Sequence, residues 1–291
     1  MTQPQRPQLV TTRAALKETL QSLSPRSTVG LVMTMGALHA GHLSLVETAR
    51  EKADYIVVSI FVNPTQFAPG EDFDAYPRQL ERDLELLAEV GADLVFAPTP
   101  AEIYPHPARV TLDPGPTAKV LEGATRPSHF GGVLQIVHKV INLVHPKVAV
   151  FGQKDAQQLA LIRQMVEDLD MPVEIVAAPI VREADGLAMS SRNAYLSEAE
   201  RKLALCLSAA LQAGAQAAEA GEGAGAILKA AETVIFEASA AVDSPATLKL
   251  DYIALVDGVT FQPVTQGPAV LAIAAKVGNT RLIDNYLVEV K

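Results

Sequence analysis

The chain has 291 residues, 49% of them apolar and 20% charged, with a net charge of −9 and one cysteine. That is the balance of a globular chain long enough for two domains. The negative charge argues against nonspecific nucleic-acid binding, and Cys206 alone rules out an internal disulfide framework and fits a reducing cytosol. No run of about 18 apolar residues is present to span a membrane, and residues 1–7 lack the apolar core of a signal peptide, so a soluble, cytoplasmic protein is expected.

In chain order, residues 11–23 read as a polar-faced helix with Thr12 as its cap, and residues 29–33 as a short buried strand. The stretch Thr34-Met35-Gly36-Ala37-Leu38-His39-Ala40-Gly41-His42 follows and opens a helix over 43–52. Two imidazoles at this spacing would project from one face of a helix's first turn, where unpaired main-chain N–H groups and the positive end of the helix dipole also lie. Such converging donors suit phosphates, and the small residues Gly36, Ala37, Ala40 and Gly41 let a flat ligand approach the backbone. The H-x-G-H pattern resembles the signature of the nucleotidylyl-transfer superfamily. The competing readings are ordinary helix-start residues or half of a metal site; a zinc site wants three or four ligands, and no acidic residue, cysteine or third histidine lies close in sequence.

Residues 55–62 are nearly all apolar, as in a central parallel strand. Residues 78–90 form an amphipathic helix that Gly91 stops, and 93–97 a further strand. Residues 130–144 read as helix, 147–151 as strand, 156–169 as helix and 173–177 as strand. Strands alternating with helices of this length indicate a doubly wound parallel sheet, whose ligands bind beyond the carboxyl ends of its strands. After about residue 181 the character changes to two Ala-rich helices, 197–220 and 225–241, followed by strands over 251–257, 269–277 and 281–288. These form a small α+β domain. The cluster Gly221-Glu222-Gly223-Ala224-Gly225 joins two helices and follows no strand, so it reads as a turn and not a dinucleotide loop.

Four further clusters fall in loops. In Val62-Asn63-Pro64-Thr65-Gln66-Phe67, Pro64 stiffens the turn and the Gln66 carboxamide can hold hydroxyls without charge; an ordinary polar loop is the plain alternative. In Gly152-Gln153-Lys154-Asp155, Lys154 can neutralise phosphate and Asp155 can cap a helix or meet magnesium or ribose, against simple capping beside a solvated lysine. Met189-Ser190-Ser191-Arg192-Asn193 makes a phosphate clamp or merely a helix cap. Arg126 and His129 lie in a long turn, where a buried structural ion pair is the alternative.

Together and in this order, the runs T-M-G-A-L-H-x-G-H, V-N-P-x-Q-F, F-G-x-K-D-x-Q-Q and S-S-R-N resemble the pantothenate synthetases, which join pantoate to β-alanine using ATP. The resemblance covers residues 28–195 and resumes over 271–285, ending in G-N-T-R-L-I-D-N, Gly278 to Asn285. It implies a Rossmann-like domain for ATP and pantoate over 1–181 and a smaller α+β lid domain over 182–291. It implies ATP binding at Thr34, Met35, Gly36, Ala37, Leu38, His39, Ala40, Gly41 and His42, and at Gly152, Gln153, Lys154 and Asp155. Val181, Met189, Ser190, Ser191 and Arg192 complete that set, with His42, His39 and Lys154 as the catalytic groups. Gln66 and Gln158 would hold pantoate, Gln66 also β-alanine; Mg2+ would travel mainly on the ATP phosphates, assisted by Asp83 or Asp155. A homodimer is implied, with residues 61–67 near the contact, and residues 70–76 and the second domain as covers.

Three positions depart from the family pattern. Met33 replaces a usual proline, which would relax the entry to the nucleotide loop; Ser128 replaces a usual glycine, which would stiffen a mobile segment; Gln153 replaces a frequent glutamate, which weakens any metal role there. Two other functions fit parts of the pattern. One is a nucleotidyltransferase moving AMP or CMP onto a phosphorylated substrate, which predicts a more basic acceptor pocket. The other is a nucleotide-binding regulatory module without catalysis.

Overall fold

The computed structural model describes residues 5–67, 73–240 and 246–291. Residues 70–72 of the expected cover and Ala241 at the end of the second Ala-rich helix lie outside the described residues. The chain forms two compact units, one of residues 1–153 and 161–179, the other of residues 154–160 and 180–291.

The first unit contains β1 (Gln8–Val10), α1 (Arg13–Gln21), β2 (Val29–Thr34), α2 (Ala40–Arg50), β3 (Tyr55–Ile60), α3 (Leu80–Glu89) and β4 (Leu94–Phe96). Two single-turn helices, α4 (Pro100–Ile103) and α5 (Glu122–Thr125), lead to α6 (His129–Val144) and β5 (Val148–Gly152). Helix α7 (Ala156–Asp168) and β6 (Glu174–Ala178) follow. The six strands pair in the order β1-β4-β3-β2-β5-β6, all parallel. Leu31, Val32, Ile56, Val57 and Val58 are fully buried, which is why β2 and β3 read as unbroken apolar runs and not as alternating ones. The strand order reverses at β2, which lies between β3 and β5, so the crevice for a ligand opens beyond the carboxyl ends of these strands.

Local signals set most element ends. Thr12 Oγ1 accepts the amide of Ala15 at 3.2 Å and starts α1. Gly91, at φ 72, follows the end of α3 in the left-handed conformation. Strand β1 has no counterpart in the sequence reading: it is three residues long, its burial pattern has no period, and its place is fixed by pairing with β4 at the sheet edge.

The second unit holds α8 (Glu198–Glu219), α9 (Ala224–Ala240) and the antiparallel sheet β7-β8-β9 (Leu248–Val256, Gly267–Val277, Thr280–Val290). Ser197 and Glu200 form a capping box at the start of α8. Leu207, Leu211, Ile227, Leu271 and Ile273 make its core, so the two Ala-rich helices bury one face on the sheet. The fold is the expected α/β doubly wound parallel sheet followed by a smaller α+β unit.

Candidate active site

The histidine loop leaves β2 at Thr34 and turns through Gly36 (φ 84) and Ala37 (φ 51) before α2 begins. A side chain on Gly36 would bring Cβ to 3.0 Å from Asp83 Oδ2 and 3.2 Å from Ile60 Cγ2, at a φ that L side chains rarely adopt. Ala37 adopts the left-handed conformation at a cost of about 1 kcal/mol. Asp83, on the first turn of α3 and 1% exposed, holds it there. Its Oδ2 accepts the Ala37 amide at 3.0 Å and its Oδ1 the Leu38 amide at 2.9 Å. Burial pushes this carboxyl above the usual carboxylate range, and the two amide bonds pull the other way. Both oxygens of Asp83 therefore face loop amides, and this residue, expected to assist magnesium, clamps the histidine loop.

Helix α2 begins at Ala40, ahead of the expected residue 43, so His39 is its extended N-cap and His42 lies inside the first turn. The two rings still meet, with centroids 4.0 Å apart and planes tilted by 32°, and both residues are half-buried. His42 Nδ1 accepts the main-chain amide of His39 at 3.4 Å, which places the ring proton of neutral His42 on Nε2. Met33 does not loosen the approach: Met33 pairs with Ser59 and Thr34 with Ile60, so the ladder runs unbroken into the loop.

A second segment is built around Gln66. Asn63, 1% exposed, donates from Nδ2 to Gln66 Oε1 at 3.1 Å and to the Gly132 carbonyl at 3.1 Å. Tyr104 donates its hydroxyl to Asn63 Oδ1 at 2.9 Å. With Oε1 taken, Gln66 points Nε2 to Met35 Sδ, 3.0 Å away in the histidine loop. The main-chain oxygen of Gln66 accepts from His129 Nδ1 at 2.9 Å and Arg126 Nη2 at 3.3 Å. Arg126 Nη1 also lies 3.1 Å from His129 Nε2, and the two side chains together bracket the Gln66 backbone. Gly132 explains the small residues at the start of α6: a Cβ there would lie 2.1 Å from the Thr65 carbonyl oxygen. Ser128, at φ −90, has a conformation that needs no glycine. A cavity of about 600 Å³ lined by Pro64, Thr65, Tyr104, Gly132 and Gln135 adjoins this turn and includes none of the expected ATP-binding residues.

The remaining candidates belong to the second unit, except Gly152 and Gln153 at the end of β5. Lys154 is half-buried, Asp155 exposed and Gln158 half-buried on the first turn of α7. The amide of Met189 donates to the Val181 carbonyl at 3.0 Å. Ser190 Oγ accepts the Arg192 amide at 3.2 Å and caps the short turn Ser191–Tyr195, so the capping reading of this run holds alongside any ligand role. Asn193 donates to Glu183 Oε1 at 2.6 Å and the Ala188 carbonyl at 3.0 Å, while Arg201 pairs with Glu183 and Asp185, each at 2.7 Å. Among the described residues no group of three His, Cys, Asp or Glu side chains stands ready to cage a metal.

Sequence reasoning misses several supporting groups. Tyr104, Glu183 and Arg201 carry no signal. Asn63 stands in a noted run but without a role, as do Asp284 and Asn285 in G-N-T-R-L-I-D-N.

The family model for pantoate-beta-alanine ligase matches residues 8–287. The chain is 54% identical over 286 residues to a pantothenate synthetase of Thermobifida fusca (strain YX), covering 95% of this chain and 94% of that one. A crystal structure of pantothenate synthetase from Thermus thermophilus superposes with a TM-score of 0.87 at 47% identity, covering 96% of this chain and 98% of that one. The pantoate-beta-alanine ligase of Francisella tularensis, solved with beta-gamma ATP and beta-alanine, superposes with a TM-score of 0.80 at 32% identity, covering 97% of each chain.

Proposed function

The chain belongs to the pantoate-beta-alanine ligase family, and on that premise we propose that it condenses pantoate with β-alanine through a pantoyl-adenylate. An amide does not form from a carboxylate and an amine near neutral pH without activation. In this reading a pantoate carboxylate oxygen attacks the α-phosphorus of ATP and pyrophosphate leaves. The amine of β-alanine then attacks the acyl carbon, AMP leaves, and the amine's proton is released. The protein's part is positioning and stabilisation of charge.

The observation that carries the reading is the 3.0 Å contact of Gln66 Nε2 with Met35. It puts the amide assigned to pantoate against the loop assigned to ATP, as an attack of one on the other requires. Asp83 holds the loop from Thr34 to His42 by accepting the Ala37 and Leu38 amides, and His42 Nε2 donates to a phosphate oxygen as charge migrates, with the His39 ring beside it. Lys154 takes the phosphates, with Gly152, Gln153, Asp155, Val181 and Met189 shaping the nucleotide's surroundings and Ser190, Ser191 and Arg192 closing on pyrophosphate. Gln66 and Gln158 orient pantoate, and Gln66 also receives β-alanine. Neutral amides suit this task because a bidentate arginine would lower the basicity of the attacking oxygen. Arg126 fits that logic, since it reaches the main-chain oxygen of Gln66 and not the carboxamide.

Magnesium would enter with ATP in this scheme and would supply positive charge to its phosphates, since it needs few protein ligands and both Asp83 oxygens accept loop amides. Asp155 is the exposed carboxylate left to assist it. The nucleotide and pantoate functions fall to residues 1–181 and the smaller domain to 182–291, with residues 154–160 packing in the second unit. A cytoplasmic homodimer completes the reading; sedimentation of the purified protein checks the dimer.

The deciding experiment is pantoate-dependent exchange of labelled pyrophosphate into ATP without β-alanine. Exchange with pantoate and none with other hydroxy acids is expected. Exchange that ignores pantoate but responds to a phosphorylated acceptor would replace this reading with nucleotidyl transfer.

A further inference from the structure

The run Gly278 to Asn285 has no part in the reaction as described, yet its last two residues are buried polar groups, Asp284 at 4% and Asn285 at 3% exposure. They are neighbours on β9 and serve two different segments of the second unit. Asn285 Nδ2 donates to the main-chain oxygen of Lys154 at 2.9 Å. Asp284 takes Arg182 in a two-pronged pair, Oδ2 to Nη1 at 2.6 Å and Oδ1 to Nη2 at 3.0 Å, and Oδ1 also accepts the Asn285 amide at 2.8 Å.

Arg182 is the stem of a small hairpin. It bridges to Ala188, its Nη1 donates to the Gly186 carbonyl at 3.1 Å, and the neighbouring Val181 carbonyl accepts the Met189 amide at 3.0 Å. That hairpin delivers Met189, Ser190, Ser191 and Arg192. The middle of β9 therefore fixes the base of the Ser-Ser-Arg turn with Asp284 and the backbone of Lys154 with Asn285. A charged pair with two parallel bonds defines orientation as well as distance, and a buried carboxamide with one donor on a carbonyl defines the other.

We propose that Asp284 and Asn285 are positioning residues for adenylation, setting Lys154 and the turn carrying Ser190 to Arg192 in mutual register on one strand. The inference rests on the phosphate role given above to Lys154 and that turn. Its consequence is specific to one half of the reaction. Pyrophosphate is present only while the adenylate forms, so the register matters there and not when β-alanine displaces AMP.

The test compares Asn285→Ala, Lys154→Ala and their combination. Two rates are read: pantoate-dependent pyrophosphate exchange, and β-alanine-dependent AMP release from supplied pantoyl-adenylate. Asn285→Ala is expected to slow exchange at least tenfold, leave AMP release within about twofold, and add little in the Lys154→Ala background, since partners in one network are not additive. Asn285→Ser, whose donor is too short to reach the carbonyl, should repeat the result and serves if the alanine variant fails to fold. Arg281→Ala removes the pair with Asp251 (2.7 Å) from the same strand and should leave both rates unchanged. Equal losses in both half-reactions, full multiplication with Lys154→Ala, or the same loss in Arg281→Ala would overturn the inference. An unaffected Lys154→Ala would instead remove the assignment of Lys154 on which it rests.

Discussion

The histidine loop of the first unit and the Ser-Ser-Arg turn of the second are held in different ways. The first is fixed by main-chain conformation and one buried carboxylate: Gly36 and Ala37 at positive φ, with two amides on Asp83. The second is fixed by side-chain ion pairs, Arg201 with Glu183 and Asp185 and Arg182 with Asp284. A carboxylate that is 1% exposed and accepts two amides holds its loop in one geometry that salt screens little. Ion pairs a third exposed, like those of Arg201, hold more weakly and yield to salt. The difference teaches that a loop fixed by a buried carboxylate keeps its geometry at any ionic strength, whereas a turn braced partly by the exposed Arg201 pairs responds to salt.

The sharpest way to break this comparison is His42→Ala. A loss of adenylate formation on the order of 10²–10³ is expected, the scale of one removed transition-state donor, with a smaller loss of ATP binding. Single-turnover adenylation measured beside equilibrium ATP binding separates the two; unchanged adenylation removes the role given to His42.

Asp83→Asn comes next. It keeps the volume but turns a donor toward a loop amide, so one buried N–H loses its acceptor at about 1–3 kcal/mol, roughly ten- to a hundredfold in exchange. The wild-type pH profile supplies an independent check. Burial holds this carboxyl above 3.8 in the folded protein, so the native form takes up the proton first as pH falls. Its contribution to stability thus grows as pH falls through that window and shrinks as pH rises through it. Exchange should therefore fall on that acid limb without a parallel fall in melting temperature from this group, and the limb should vanish in Asp83→Asn. A limb that persists in the variant belongs to another residue.

Gln66→Arg should bind pantoate yet adenylate more slowly, on the order of tenfold, because a guanidinium on the carboxylate strengthens binding at the expense of its basicity. Normal exchange rates in that variant would end the argument for neutral amides. The smallest effect is expected for Arg201→Ala, about 1 kcal/mol or less of stability, as for other partly exposed pairs, and exchange that becomes less sensitive to salt than in the wild type. Calorimetry and a salt series read both.

Much of this architecture is legible in the chain. Unbroken apolar runs at 29–33 and 55–62 specify parallel strands, Thr12 and Ser197 mark helix starts, and Gly91 marks an end. The order of five loop clusters specifies the family. Each of these signals lies within a few residues of the feature it encodes, because periodicity, capping and turn chemistry act between chain neighbours.

What tertiary structure alone decided lies between residues far apart in sequence. Asp83 reaches the histidine loop across 46 and 45 positions, Asn63 reaches Gly132 across 69, and Asn285 reaches Lys154 across 131. Strand β1 exists only through its pairing with β4, and residues 154–160 pack with the second unit although they follow the last residues of β5. No local pattern announces a hydrogen bond to a distant carbonyl or amide. Local runs in the chain mark the candidate side chains, and long-range packing chooses which buried polar groups hold the segments that carry them.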